Sequence, residues 1–201
     1  MNAADIFTFT NGQVLPEFKC DIAFTGGYWP YKAQVLDKYL MPICKEDVYN
    51  IKIFGNSKWP TKCYCGFVPD WCIRHAFKSA TICPNLHEPH SQVFGYDIIE
   101  RPFKLLSNKC FVVSDNVSGL KQLIPDGIVY ADNPEAFREI IEHYIRNPED
   151  REKYIKNGYD NVMENHTYFH RIHEMFMRLN MLEEASNVEF TYSSMRDKLQ
   201  L

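Results

Sequence analysis

The sequence predicts an α/β domain, with a doubly wound, mostly parallel sheet and extra helices at its C-terminus. Short apolar runs alternate with longer amphipathic segments, which is the pattern of βα units around a parallel sheet. Turn residues close the runs, as Gly26 and Gly27 do after the first one and Gly55 after the second. Beyond about residue 134 only helical periodicity continues. The 201 residues suffice for one such domain.

The individual elements follow from periodicity and from turn and capping residues. The predicted strands span residues 21–24, 49–54, 80–83, 110–113 and 127–130. The predicted helices span residues 31–40, 71–78, 97–107, 134–147 and 149–165, with a last one from 167 to beyond 182. Asp70 is the expected N-cap of the second helix, and Pro102 is expected to delay or kink the third. The stretch from Gly55 to Gly66 is interpreted as a loop, and the polar tail from Ser186 receives no assignment.

Composition and charge narrow the classes of function. A net charge of −4 argues against a broad nucleic-acid-binding surface, which needs a cationic excess. No apolar run approaches the roughly 20 residues that span a bilayer, and the N-terminus does not resemble a secretory signal. Seven cysteines, an odd number spread through apolar segments, indicate reduced thiols and predict a cytoplasmic location.

One group of residues raises the question of zinc. Cys63, Cys65, Cys72, His75 and Cys83 lie within 21 positions of one another. Structural zinc sites usually contain two tight ligand pairs, whereas this segment has one cramped pair and scattered remainders. Because cysteine is also among the most buried residue types, we interpret these thiols as part of the core and expect no metal site.

Two loops at predicted strand ends are candidate binding elements. The first contains Gly26, Gly27 and Tyr28, where glycines let a ligand approach the backbone and the next helix offers N–H groups to a phosphate. Neither a dinucleotide fingerprint nor a P-loop is present, so a plain turn is the alternative. The second loop contains Phe67 and Val68, where backbone groups could hold a nucleobase edge beside an apolar wall. This loop too could be a simple turn.

A third candidate region joins Asn85 and His87 to the pair Arg101 and Lys104. The two cations are three residues apart on one predicted helix and share a face near its start, which suits a diphosphate. A solvated basic patch is the alternative. His87 could be a general base, although a single histidine is more often structural.

The order of these motifs resembles the donor-binding half of GT-B glycosyltransferases. The stretch 97–115, DIIERPFKLLSNKCFVVSD, is similar to the R-x-F-E-x-L-A-x-G signature of CgeB-like members related to glycosyltransferase group 1. Further segments on both sides of this stretch occur in the order found in that family: residues 66–71, 80–87, 120–127, 133–135, 147–151 and 166–171. The resemblance covers about residues 20–176. It implies a Rossmann-like domain between an N-terminal extension, 1–19, and a C-terminal helix or tail, 177–201.

The resemblance implies transfer of a sugar from a nucleotide-diphosphate sugar to an unknown acceptor, without a bound metal. Gly26 and Gly27 would face the diphosphate, Val68 the base, Asn85 and His87 the sugar, and Arg101 a phosphate. The implied catalytic residues are His87, Arg101 and Lys104. The implied nucleotide-sugar-binding residues are Gly26, Gly27, Tyr28, Phe67, Val68, Asn85, Tyr96, Asp97, Ile98 and Arg101.

The sequence departs from the family pattern at two positions. Lys104 stands where the family carries the glutamate that holds the ribose, and Tyr96 stands where the related E-x7-E pattern begins. An ammonium group cannot accept hydrogen bonds from ribose hydroxyls, although it can bind a phosphate. The resemblance therefore implies either an altered donor geometry or a loss of activity.

Length leaves further alternatives open, because GT-B enzymes place their active site between two domains. The chain could be an excised domain, could be completed by a partner chain or a second copy, or could be a degenerate module that only binds nucleotide. An apolar face on the helix after Arg171 could drive such association. A flavodoxin-like or sugar-epimerase-like protein that shares only the sheet is a further alternative.

Overall fold

The computed structural model describes residues 2–201, and its central feature is one six-stranded, all-parallel sheet. The strands are β1 (Cys20–Thr25), β2 (Ile51–Phe54), β3 (Tyr64–Gly66), β4 (Ala80–Asn85), β5 (Val112–Asp115) and β6 (Val129–Ala131). Their order across the sheet is β3-β2-β1-β4-β5-β6. The chain moves outward from β1 to one edge and then returns to build the other half from β4. A crevice therefore forms at the carboxyl ends of β1 and β4, where ligands of such sheets bind.

Ten α-helices cover the sheet and extend beyond it in the described residues. They are α1 (Pro30–Tyr39), α2 (Met41–Glu46), α3 (Asp70–Lys78), α4 (Pro89–Phe94), α5 (Arg101–Ser107), α6 (Ser118–Leu123), α7 (Pro134–Arg146), α8 (Glu152–Asn165), α9 (Tyr168–Arg178) and α10 (Leu182–Leu199). Short 3-10 turns occupy Pro16–Phe18 and Pro148–Arg151. The predicted fold class is confirmed, with every strand pair parallel.

Two buried clusters hold the helices to the faces of the sheet. One joins Ile22 and Ile53 of the sheet to Leu36 of α1 and Phe137 of α7. The other joins Val112 to helices α3, α5, α6 and α8, which contribute residues such as Phe77, Phe103, Leu120 and Val162. A sheet covered on both faces needs strands that are apolar on both sides, which explains the continuous apolar runs of the sequence.

Several predicted boundaries differ from the structure for local reasons. Helix α5 begins at Arg101 rather than at residue 97, because Pro102 lacks an N–H and suits only the first turn. Asp70 lies inside α3, after Pro69, and its side chain makes no capping hydrogen bond. The edge strand β3, within the interpreted loop, was missed because three residues give no periodicity.

The C-terminal region also differs from the prediction. The single helix expected from residue 167 is divided into α9 and α10, with Asn180 between them in the left-handed conformation at φ 59°. The tail left unassigned from Ser186 is part of α10. Asparagine tolerates this conformation better than most residues, so it ends α9 and lets α10 pack back onto it.

The N-terminal segment is attached to these last helices. Ala4 forms a parallel bridge with Thr167: its N–H donates to the carbonyl of His166 (2.8 Å), and its carbonyl accepts from the N–H of Tyr168 (3.1 Å). Ile6 is buried in a third cluster with Met163 and Tyr192. The segment predicted as an extension thus packs against the end of the predicted domain, at Met163 and Thr167, and against the predicted tail, at Tyr192.

Candidate functional site

A cavity of about 380 Å³ opens at the carboxyl ends of β1, β2 and β3, beside the start of α5. It lies in the half of the crevice nearer β3. Seventeen residues line it: Phe9, Thr25, Gly26, Gly27, Lys32, Phe54, Gly55, Asn56, Phe67, Val68, Asp70, Ile73, Phe77, Ile99, Glu100, Arg101 and Lys104. It brings together six of the residues singled out from sequence: Gly26, Gly27, Phe67, Val68, Arg101 and Lys104.

The glycine pair keeps the floor of this cavity open. A Cβ on Gly26 would lie 3.1 Å from Nη2 of Arg101 and 3.2 Å from the Phe24 ring. A Cβ on Gly27 would overlap the indole of Trp29, at 2.4 Å. The N–H of Gly26 already donates to the carbonyl of Phe54 (2.9 Å). Gly26 therefore contributes space for a ligand rather than a hydrogen-bond donor.

Arg101 joins the two halves of the sheet across the crevice. Its Nε donates to the carbonyl of Thr25 after β1 (3.2 Å), and its Nη1 donates to the carbonyl of Leu86 after β4 (3.3 Å). The guanidinium lies over the Phe24 ring, 4.6 Å from its centroid. Burial lowers the pKa of Arg101 to about 10, against the opposing charges of Asp115 and Glu88. The group remains a cation at neutral pH, fixed in direction by two carbonyls.

Lys32, which the sequence reasoning missed, provides a second cation at the same place. It lies in the first turn of α1, and its Nζ is 3.6 Å from the position of a Cβ on Gly26. Burial and, to a smaller extent, the charge of Arg101 lower the pKa of Lys32 to about 8, while Glu88 acts in the opposite direction. Two neighbouring cations whose pKa values are both lowered by burial form a site that favours an anion. The available signal was a lysine just after a glycine-containing strand end.

Lys104 lines the cavity next to a carboxylate. Its Nζ is 2.6 Å from Oε2 of Glu100 and lies 4.2 Å from the centroid of the Phe9 ring. The hydroxyl of Tyr168 donates to Oε1 of Glu100 (3.1 Å). Both oxygens of Glu100 are thus held at the cavity edge, one turn before the position where the family carries its ribose-binding glutamate. Glu100 is not indicated by the sequence, because the glutamate of the family motif aligns with Lys104.

The end of the cavity near β3 is more apolar. Phe67 is 67% exposed, so its ring is free to contact a flat ligand, and Val68 and Ile73 lie beside it. Gly66 has a left-handed φ of 94°, and no atom lies within 4 Å of the place its Cβ would take. The exposed carboxylate of Asp70 also borders this end.

Asn85 and His87 lie outside the lining of the cavity and are buried beneath its β4 side. Nδ1 of His87 is 2.7 Å from Oδ1 of Asp115, whose carboxylate also accepts from the backbone N–H of His87 (3.1 Å). Nδ2 of Asn85 donates to Oγ of Ser114 (2.9 Å). Within residues 2–201, Nε2 of His87 and Oδ1 of Asn85 have no hydrogen-bond partner. These contacts join the ends of β4 and β5.

The remaining candidates lie elsewhere. Tyr96, Asp97 and Ile98 border a second cavity, of about 510 Å³, together with residues of α6. The hydroxyl of Tyr28 donates to Oδ1 of Asp37 (2.5 Å), and this bond raises the pKa of Tyr28 to about 12. Its ring packs against Trp59, with 5.1 Å between the ring centroids. Tyr28 directly follows the lining residue Gly27, but its side chain points toward α1 and does not line the cavity.

In the part of the chain that the structure describes, no group of three or more histidine, cysteine or acidic side chains could hold an ion. Of the cysteine-rich segment, Cys83 is buried and Cys65 is exposed, so these thiols do not converge. Among the same residues, no helix is long and apolar enough to cross a membrane.

The fold is the Rossmann-like fold of a GT-B glycosyltransferase domain. A family model described as glycosyl transferase-like matches residues 34–177, most of the chain, and the chain belongs to this family. No curated protein matches the sequence. The CgeB-like subgroup stays a prediction.

Solved structures share the fold at low sequence identity. T4 phage BGT in complex with its UDP-glucose substrate has a TM-score of 0.61 and 12% identity, over 97% of this chain and 52% of that one. Sucrose-phosphate synthase from Thermosynechococcus elongatus has a TM-score of 0.68 and 11% identity, over 92% and 52%. The C-terminal domain of LpcC, a glycosyl transferase group 1 protein from Francisella tularensis, has a TM-score of 0.58 and 13% identity, over 81% of this chain and 97% of that domain. T4 phage BGT has also been solved with UDP and Mn²⁺. The chain thus spans about half the length of the first two.

Proposed function

We propose that this domain is the part of a glycosyltransferase that binds a nucleoside diphosphate sugar. The complete enzyme would transfer the sugar, a hexose, to an acceptor. The observation that carries the proposal is the pair Lys32 and Arg101. Burial lowers the pKa of both cations, and they lie beside the open space above Gly26. A diphosphate would restore the charge balance that these two groups lack, and cations placed in this way stabilise a leaving phosphate.

The other ends of the cavity suit the rest of such a ligand. The Phe67 ring and the side chains of Val68 and Ile73 offer an apolar surface to a nucleobase. Glu100, with its carboxylate held by Lys104 and Tyr168, offers acceptor oxygens to ribose hydroxyls. The lysine that departs from the family pattern thus acts as a positioning residue for a neighbouring acid. UDP is the first nucleotide to test, because T4 phage BGT binds UDP-glucose.

We expect the acceptor to be bound by a further domain or by a second chain, which includes a homodimer. Exposed aromatic side chains at this edge of the sheet, among them Trp29, Tyr31 and Trp71, would meet that domain. We expect no metal requirement, because Lys32 and Arg101 supply the positive charge that a metal would otherwise provide. The cytoplasmic location stays a prediction.

The test is calorimetric titration of the chain with UDP, GDP, dTDP and their glucose conjugates, with Lys32→Ala as the informative variant. Lys38→Ala is the matched control, because Lys38 is exposed in the last turn of the same helix. We expect micromolar binding of one nucleotide, weakened at least tenfold by Lys32→Ala and unchanged by Lys38→Ala. Addition of MnCl₂ or EDTA should leave the affinity unchanged.

The non-catalytic alternative has its own supporting observation, the lysine at the position of the family glutamate. It predicts that UDP and UDP-glucose bind with equal affinity and that no sugar is released from UDP-glucose. Selective binding of a flavin, with no binding of any nucleoside diphosphate, would contradict both forms of the proposal.

A further inference from the structure

A cluster of ionisable side chains extends from Glu88, near the two cations, to Asp97, which also borders the second cavity. It consists of Glu88, His90 and Asp97, with Tyr31 packed on the histidine. Nε2 of His90 is 2.6 Å from Oδ2 of Asp97, and Nδ1 of His90 is 3.8 Å from Oε2 of Glu88. The Tyr31 and His90 rings are stacked, with centroids 5.8 Å apart and an interplanar angle of 15°.

The sheet order fixes the direction in which a bound donor would extend. The apolar end of the cavity follows β3 at the sheet edge, and Lys32 and Arg101 lie where β1 meets β4. The sugar attached to the diphosphate would therefore continue past β4. The chain that leaves β4 there reaches Glu88 and then α4, which contains His90. Glu88 is close enough to both cations to raise their pKa values against the effect of burial.

The hydrogen bonding of His90 leaves one ring nitrogen free to act as a base. An ionised Asp97 accepts only, so in the neutral ring Nε2 of His90 carries the proton and Nδ1 carries the lone pair. The 3.8 Å gap between Nδ1 and Glu88 exceeds a hydrogen bond, which leaves this nitrogen available to a hydroxyl group. The side chain of His90 is 37% exposed, so solvent and substrates reach it.

We propose that His90, oriented by Asp97, is the general base of the sugar end of this site, and that the stacked Tyr31 helps to form the sugar subsite. The acceptor O–H proton passes to Nδ1 of His90 while its oxygen bonds to the anomeric carbon. The bond from that carbon to the phosphate oxygen breaks, and its electron pair leaves with the nucleoside diphosphate. Lys32 and Arg101 offset the charge that develops on this leaving group. This inference rests on the proposed function.

The NMR signals of the histidine rings in the intact chain test whether His90 lies at the sugar end of the site. UDP-glucose is the probe, UDP is the sugar-free reference, and a His90→Gln variant assigns the resonance. We expect UDP-glucose to shift the His90 ring signals, and UDP to shift them much less. His143 is the control, because its Nε2 is paired with Asp150 in the same way (2.8 Å) but lies on α7. Equal shifts of the His90 signals with UDP-glucose and with UDP would overturn the placement of His90 at the sugar end.

Release of glucose from UDP-glucose, with water as the acceptor, tests the base. We expect His90→Gln to lower the rate at saturating UDP-glucose at least tenfold, Asp97→Asn to lower it less, and His143→Gln to leave it unchanged. The Kd for UDP should stay within about twofold in all three variants, which separates catalysis from folding. UDP-glucose that binds but is not hydrolysed, or is hydrolysed equally by His90→Gln, overturns the base role. Failure of UDP, GDP and dTDP to bind contradicts the proposed function itself.

Discussion

At the scale of single residues, the site depends on charges that the free chain leaves unbalanced. Lys32 and Arg101 share a small space, and the nearby carboxylates of Glu88 and Asp115 offset the effect of burial only in part. Such an arrangement lowers the folding stability of the protein when no ligand is bound. It is typical of binding sites. The expected ligand is therefore an anion that contacts both cations at once.

The lowered pKa of Lys32 predicts that nucleotide binding depends on pH. Above pH 8 the free amine is largely neutral and must take up a proton before it can pair with a diphosphate. The Kd for UDP should therefore stay flat between pH 7 and 8 and rise by up to about tenfold per unit above it. Calorimetry at pH 7 to 9 measures this. Lys32→Arg should flatten the profile, and an unchanged slope in that variant would contradict the assignment.

The buried pair of His87 and Asp115 predicts a structural role that can be separated from the binding of nucleotide. Because His87→Ala leaves the Asp115 carboxylate buried without its charge-assisted partner, the free energy of unfolding should fall by roughly 3 kcal/mol. Gln92→Ala removes a second donor to Asp115 (2.7 Å) from an exposed side chain and should cost less. Urea denaturation measures both. Equal stability of His87→Ala and the unmodified chain would return His87 to the candidates for catalysis.

At the scale of elements, the N-terminal segment and the last helices form one unit. Residues 2–10 bridge to Thr167 and place Ile6 against Met163 and Tyr192, while Phe9 reaches the cavity beside Lys104. This packing connects the N-terminal segment and the last helices to the cavity. An element that sequence patterns separate from the domain thus contributes one wall of the cavity.

This packing predicts a large effect of a small change in the N-terminal segment. Ile6 is 2% exposed, so Ile6→Ala should lower the free energy of unfolding by roughly 2–4 kcal/mol through the cavity it leaves. Phe7 is 55% exposed, and Phe7→Ala should have a much smaller effect. Chemical denaturation of the two variants provides the comparison. A cost for Ile6→Ala no greater than that for Phe7→Ala would show that the segment is a separate extension.

At the scale of the whole molecule, the sheet order assembles the site from distant parts of the chain. Lys32 follows β1, Phe67 follows β3, and Glu100 and Arg101 come after β4, at the start of α5. Parallel strands bring these carboxyl ends to one edge, and the crossover from β3 back to β4 opens the crevice there. Because the ligand would touch both halves of the sheet, its binding should stabilise the entire fold.

The corresponding prediction concerns thermal unfolding. UDP at about 100 times its Kd should add about 2.7 kcal/mol to the unfolding free energy and raise Tm by roughly 5–10 °C. Lys32→Ala should reduce the shift by about half or more at the same UDP concentration, and inorganic phosphate at that concentration should produce little of it. Scanning calorimetry measures all three. An equal Tm shift in Lys32→Ala would mean that UDP stabilises the fold from another site.

Sequence alone determined the fold class, because apolar runs with short and long periods report directly on strands and helices. It also indicated Gly26, Phe67 and Arg101, which line the cavity: the glycine follows a predicted strand, the aromatic ring lies in a predicted loop, and the cation lies near the start of a predicted helix. It missed β3 and the break at Asn180, where three residues or one backbone angle give no periodic signal.

Only the tertiary structure decided which side chains share the site. It selected Lys32 and Glu100, and it separated His87, which is buried against Asp115, from His90, which is open to solvent. These histidines are three residues apart and look equivalent in the sequence. Burial and hydrogen-bond partners depend on residues that lie far along the chain. Sequence periodicity records which face of an element is apolar, but not which distant group that face will meet.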